Sequence, residues 1–244
     1  EKLPDRKSYK DIKKSYMNIC IVPARGGSKR IPNKNIKLFM EKPIISYVIK
    51  IVIKSDLFDE VIVSTDDEEI AKIALSYGAK VPFLRSKKNS NDYATTVDVL
   101  IEVLETYLKQ NEFFNMGLCI YPTAALVSQK DLNITFDKFL NGNFDSLIPI
   151  IKYPHPIQRA LKISDEGKLS YVFKDFEKSR TQDLDKAYYD SGQFYWFKTD
   201  KILKKKSLIM NNTGYWLVSN ENFQDIDNLD DWKKAEVKYK KNKK

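Results

Sequence analysis

Along residues 17–150, short runs that are apolar throughout alternate with longer stretches in which apolar residues return every three or four positions. Residues 18–23 predict a first strand. Pro43 opens a helix through Lys54, with Ile44, Val48, Ile51 and Val52 on one side. Residues 60–65 predict a second strand. It leads into Asp66-Asp67-Glu68-Glu69, an acidic first turn suited to a helix N-terminus, and that helix ends near Gly78. A short strand is expected at 80–84, a helix at 94–109, a strand at 116–121, a helix at 128–141 and a strand at 145–150. Strands without polar alternation are buried on both faces. The pattern therefore predicts an α/β fold, Rossmann-like, with a mostly parallel central sheet.

After residue 150 the rhythm changes. Residues 151–190 are rich in Pro, Tyr and charge and predict short strands and loops, an arm inserted into the domain and suited to subunit contact. Residues 191–198 return to a strand, and 201–206 and 228–239 read as helical. Residues 17–244 thus form one domain. Residues 1–16 are polar and Lys-rich and stand just before Met17. They are expected to lie outside the fold as an extension, or to form a short amphipathic helix on its surface.

Charge looks informative until it is located. The net charge is +9, of which residues 1–16 contribute +3 and residues 233–244 contribute +6, so residues 17–232 are formally neutral. A nucleic-acid binder should carry its basic footprint on the folded face. No nucleic-acid partner is expected, and a polyanion-binding protein driven by its basic ends stands as the alternative of another class. No apolar run reaches bilayer-spanning length and no signal-peptide pattern opens the chain. Cys20 and Cys119 fall in core strands with no CxxC spacing, which fits reduced packing residues and a cytoplasmic protein away from membranes.

Two segments carry chemistry. The first strand breaks into Pro23-Ala24-Arg25-Gly26-Gly27-Ser28-Lys29-Arg30, followed by Ile31-Pro32-Asn33-Lys34-Asn35. Gly26 and Gly27 allow backbone N–H groups to approach an anion, and Arg25, Lys29, Arg30 and Lys34 add the charge to hold a polyphosphate. Taken alone, Gly26-Gly27-Ser28-Lys29 reads equally as a basic surface turn. The loop is neither a Walker A sequence nor a G-x-G-x-x-G fingerprint. The second segment is Asp225-Ile226-Asp227. In an extended chain the two aspartates share one side while Ile226 points to the core. Hard carboxylate oxygens completed by water and phosphate are what Mg²⁺ prefers. The competing reading is an acidic helix start, which is the reading for Asp230 and Asp231.

Together these segments closely resemble the opening and metal motifs of the CMP-sugar synthetases, the cytidylyltransferases that activate sialic acids and related nonulosonic acids. The resemblance spans about residues 17–240 and implies a CTP- and Mg²⁺-dependent nucleotidyltransferase that works as a homodimer. It implies Arg25, Lys29, Lys34 and the loop N–H groups on the triphosphate, and Asp225 and Asp227 on the metal, with Asp66 helping to orient the metal shell. Arg25, Lys34, Asp225 and Asp227 form the catalytic set. Asn35 lies near cytidine, Arg85 meets base or ribose, and Ala94 lets the pyrimidine lie against backbone. Thr95 and Thr96 either contact the nucleotide or cap a helix.

Where relatives for the common sialic acids carry Gln-Pro-Thr-Ser-Pro, this chain has Tyr121-Pro122-Thr123-Ala124-Ala125. With residues 153–161, 180–184 and 190–197, it resembles the pseudaminic acid branch instead. Arg159 or Arg180 would meet the substrate carboxylate, and Gln158 and Gln193 its N-acyl or hydroxyl groups. His155, between two prolines, reads as structural. The implied reaction is attack of the anomeric hydroxyl of a nine-carbon 2-keto sugar acid on the α-phosphorus of CTP, with pyrophosphate leaving and no protein nucleophile. N-acetylneuraminate, legionaminate and an eight-carbon keto acid are the alternative acceptors.

Overall fold

A computed structural model describes residues 17–242. Basic residues 1–16 and the last two lysines lie outside the described residues, so the N-terminal extension is not addressed by it. The strands are β1 (Asn18–Pro23), β2 (Leu38–Phe39), β3 (Lys42–Pro43), β4 (Glu60–Ser64), β5 (Met116–Ile120), β6 (Ser146–Lys152), β7 (Leu161–Ile163), β8 (Leu169–Tyr171), β9 (Tyr188–Asp190), β10 (Phe194–Lys198) and β11 (Thr213–Leu217). The helices are α1 (Ile44–Ser55), α2 (Glu68–Ser76), α3 (Thr96–Lys109), α4 (Gln129–Asn141), α5 (Thr199–Lys205) and α6 (Leu229–Asn242).

Six strands lie in the order β11-β6-β10-β5-β1-β4, and β9 joins β6. β1 pairs in parallel with both β4 and β5, and β6 pairs in parallel with β11. β10 runs against β5 and β6, and β9 against β6. Five of the seven strands therefore share one direction, a mostly parallel sheet. β1 shows why it was legible. Cys20 and Val22 enter a core under α1, α2 and α4, while Ile19 and Ile21 enter a second core under α3 and α5. Burial on both faces demands an unbroken apolar run. Both cysteines are buried and free, and burial pushes both thiols upward.

Several expectations need correction. The strand expected at 80–84 is a single parallel bridge between Ile62 and Lys80, because Pro82 has no N–H with which to extend the ladder. The strand expected from residue 191 begins at Phe194, after a turn at Gly192 with φ 62°. The β2–β3 hairpin and β11 were not anticipated. β11 needs Gly214, where a Cβ would come within 2.4 Å of the Phe144 ring. The helix expected at 228–239 runs on to Asn242, so most of the C-terminal lysines sit on α6. Lys238 donates to the carbonyls of Asn220 and Phe223, and Lys241 pairs with Glu221.

The segment 153–190 has the expected form, with the β7–β8 hairpin, 3-10 turns and the short β9 but no long helix. A third apolar cluster matters most for the site. Ile31 from the loop after β1 and Phe39 of β2 meet Ile44, Ala125, Ile226, Trp232 and Ala235. It ties the amino-terminal loop to α6 and to the segment preceding it. No helix among the described residues is long and apolar enough to cross a membrane.

Candidate active site

Strand order fixes where the site forms. β4 and β5 flank β1 on opposite sides, so the chain reverses its direction of winding at β1, and ligands of such sheets bind at the carboxyl ends of strands at that point. A cavity of about 500 Å³ opens there. From the loop after β1 it is lined by Pro23, Arg25, Ser28, Lys29, Lys34 and Asn35. Arg85, Ala94, Thr95, Thr96 and Tyr121 complete it from the other side. All eleven were expected at the site. Ala24, wholly buried, lies behind the loop with its N–H on the Ser64 carbonyl at 2.9 Å.

The glycines play unequal parts. The Gly26 N–H donates to Asp66 Oδ1 at 3.0 Å, and a Cβ there would stand 2.6 Å from Asp67 Oδ2. Gly26 thus allows a close approach to the Asp66–Asp67 turn, and its N–H points to a carboxylate instead of open cavity. Gly27 has open space around it. Asp66, expected near the metal, is instead the acceptor that shapes this loop. Asn35 donates from Nδ2 to the Arg25 carbonyl at 2.9 Å, so it fixes the backbone that carries the first cation.

Arg85 is almost fully buried, with Nε on Ser64 Oγ at 3.0 Å and Nη2 on the Ser64 carbonyl. Burial lowers its pKa, and Asp66 opposes that shift. Thr95 caps α3 in a reciprocal box with Asp98, so its hydroxyl does the capping work. Thr96 bonds instead to the Tyr121 hydroxyl. Burial pushes the Tyr121 phenol up to about 12, which keeps it a neutral donor at ordinary pH.

The two motifs at opposite ends of the sequence meet at this mouth. Arg30 Nη1 lies 2.6 Å from Asp227 Oδ2, and Lys34 Nζ donates to the Ile226 carbonyl. Ile226 is buried in the third cluster, as the alternation required. Partial burial lowers the Lys34 pKa, against the pull of Asp227. The Asp225 carboxyl is raised by partial burial and then by its neighbour Asp227. Among the described residues no third carboxylate, His or Cys joins them into a self-sufficient metal cage. Two neighbouring carboxylates just outside the cavity, held to it through Arg30 and Lys34, fit a hard cation whose remaining ligands are water and phosphate.

Sequence reasoning missed the carboxylate that faces the loop cations. Asp92 lines the cavity, and Lys29 and Arg25 bond to it and hold its pKa below the usual carboxylate range. Its position just before the Thr95 cap was the available signal.

The expected sugar-side residues, Tyr121 apart, lie elsewhere. Gln158, Arg159 and Arg180 sit in the arm and do not line the cavity. Arg159 donates to the carbonyls of Glu177 at 3.1 Å and Ser179 at 2.8 Å, and Arg180 pairs with Asp183. The Gln158 amide reaches the Asp185 carbonyl at 3.5 Å. Gln193 is buried, donates to the Asn222 carbonyl at 2.9 Å and lines a separate small pocket. One chain therefore brings the loop cations, Arg85 and Tyr121 to one cavity but keeps Arg159 and Arg180 occupied with the arm's own carbonyls and Asp183.

Comparison with known proteins gives the family and the fold. A cytidylyltransferase family model matches residues 19–241. A pseudaminic acid cytidylyltransferase from Campylobacter jejuni is 39% identical over 225 residues, covering 92% of this chain and 97% of the relative. A CMP-N,N'-diacetyllegionaminic acid synthase from Legionella pneumophila is 29% identical, covering 88% and 92%. Among solved structures, a CMP:2-keto-3-deoxy-manno-octonic acid synthetase complexed with CTP shares the fold, with a TM-score of 0.68 at 15% identity over 93% of this chain and 99% of that one. Matched by the family model over residues 19–241 and 39% identical to a relative over 92% of its length, the chain belongs to the cytidylyltransferase family.

Proposed function

We propose that this protein transfers CMP from CTP to the anomeric hydroxyl of a nine-carbon 2-keto sugar acid, pseudaminic acid, releasing pyrophosphate. One observation carries the reading: Arg30 and Lys34, which line the cavity, reach the aspartate segment just outside it, Arg30 through the pair with Asp227 at 2.6 Å and Lys34 through the Ile226 carbonyl. The similarity to the Campylobacter enzyme supports the choice of acid.

In this scheme the sugar oxygen attacks the α-phosphorus, the bond to the β-phosphate oxygen breaks, and the hydroxyl proton passes to water. Arg25, Lys29 and Lys34 hold phosphate oxygens in line for that displacement. Arg85 and the Ala94 backbone border the base and ribose. Tyr121, kept neutral, offers a hydroxyl to the acceptor. Asp225 and Asp227 would hold Mg²⁺, which supplies charge neutralisation at the phosphates. The scheme needs no covalent intermediate on the protein, because positioning and charge neutralisation lower the barrier.

Assembly belongs to the same proposal. Leu161, Ile163, Leu169 and Phe173 are exposed on the arm, an apolar face that suits a second copy of the chain and hence a homodimer.

The test is incubation with CTP, Mg²⁺ and each of four acids: pseudaminic, legionaminic, N-acetylneuraminic and an eight-carbon keto acid. CMP-sugar formation is read by mass spectrometry. The fastest turnover is expected with pseudaminic acid. Faster turnover with another acid reassigns the acceptor, and no CMP-sugar with any of them overturns the proposal.

A further inference from the structure

Two of the three cations assigned to the triphosphate already hold an anion. Arg25 Nη1 donates to Asp92 Oδ1 at 2.7 Å, and Lys29 Nζ donates to Asp92 Oδ2 at 2.5 Å. Asp92 lines the same cavity as both cations. A carboxylate presents two oxygens to Arg and Lys much as a phosphate does, so Asp92 occupies the electrostatic place of a ligand.

The turn bearing Asp92 does not depend on that carboxylate. Asn91 Oδ1 accepts the N–H groups of Tyr93 at 2.8 Å and Ala94 at 3.0 Å, and the Thr95–Asp98 box starts the helix that follows. Among the described residues, the Asp92 side chain bonds to Arg25 and Lys29 alone. It can therefore swing away without unmaking the loop. With several phosphate charges at Arg25 and Lys29, repulsion drives it to do so.

We propose that Asp92 is a built-in competitor for the triphosphate, which orders Arg25 and Lys29 when nucleotide is absent and reclaims them as polyphosphate leaves. It is a positioning residue, and it lowers affinity for phosphate while leaving the nucleoside unaffected. The inference rests on the nucleotide reading of the cavity.

Calorimetric titration in Mg²⁺ buffer without sugar acid tests it. CTP is first titrated into the unmodified protein, and absence of binding there overturns the nucleotide reading itself. With that binding in hand, Asp92→Asn and Asp92→Ala should each tighten CTP and inorganic pyrophosphate by roughly three- to tenfold, the scale of two exposed ion pairs. Cytidine, which has no phosphate, should bind unchanged. In steady-state assays KM for CTP should fall and inhibition by pyrophosphate should strengthen. A merely structural Asp92 would not yield tighter binding. Equal or weaker CTP binding in either variant that retains the parent melting temperature overturns the inference.

Discussion

The cleft and the arm solve the placement of polar groups in opposite ways. In the cleft, partners come from distant parts of the chain: Arg25 with Asp92, Arg30 with Asp227, Lys34 with the Ile226 carbonyl. In the arm they come from close by: Arg180 with Asp183, Lys168 with Glu166, Arg159 with the carbonyls of Glu177 and Ser179. The cleft is thus a product of the whole tertiary fold. The arm meets its two arginines locally and turns apolar side chains outward, with Ile163 73% and Leu169 67% exposed. In the proposed homodimer this exposed apolar side is the face that a second copy would cover.

That contrast can be broken most severely at Asp227. Asp227→Asn should lower CMP-sugar formation by about a hundredfold or more, the scale of removing one charge-stabilising group, while the arm stays intact. Near-normal kcat would show that the cleft carboxylates are mere helix-start residues. Next comes the arm. Ile163→Asp combined with Leu169→Asp should weaken self-association by about tenfold or more in analytical ultracentrifugation, since charges replace apolar contacts. Because both side chains are exposed, the melting temperature of the separated chain should hold. A chain that is monomeric before substitution would remove the arm's proposed purpose.

A finer test sits on the acceptor side of the cleft. Tyr121→Phe keeps the ring that meets Tyr195 edge-on but removes the hydroxyl bonded to Thr96. KM for the sugar acid should rise by about three- to tenfold with KM for CTP unchanged. An equal rise for CTP would move Tyr121 to the nucleotide side.

The smallest effect concerns Asp225. Its carboxyl titrates above the ordinary carboxylate value in the fold, from partial burial first and Asp227 second. Such a group favours the folded state below its unfolded pKa and withdraws that contribution as pH climbs through the raised one. Above that window the native protein carries the cost. Asp225→Asn should therefore melt slightly higher than the parent at pH 7 without metal, by ~1 °C given solvent screening, with the gap closing below about pH 4. A lower melting temperature at pH 7 would show that Asp225 is structural.

Much of the cavity lining was legible, and the reason is physical. Two-sided burial forces unbroken apolar runs such as residues 18–23, and a phosphate site after the first strand needs small residues and cations together. β11 was not legible because it borders the sheet, with Tyr215 and Leu217 exposed and Gly214 in place of an apolar signal. The loop cations were readable as a set, but Asp92 as their partner and Asp66 as the acceptor of the Gly26 N–H were not, since register across the sheet decides which turns face each other. On the sugar side, sequence runs identified Gln158, Arg159 and Arg180, and their geometry commits them to arm carbonyls and Asp183.

The third apolar cluster imposes an order on biosynthesis. Phe39 and Ile44 leave the ribosome roughly two hundred residues before Trp232, about 10–40 s at ordinary elongation rates. During that interval the loop after β1 has no bolt behind it, and a greasy face waits for its cover. The cavity rim is therefore completed late and all at once, when the closing helix clears the exit tunnel and Asp227 reaches Arg30.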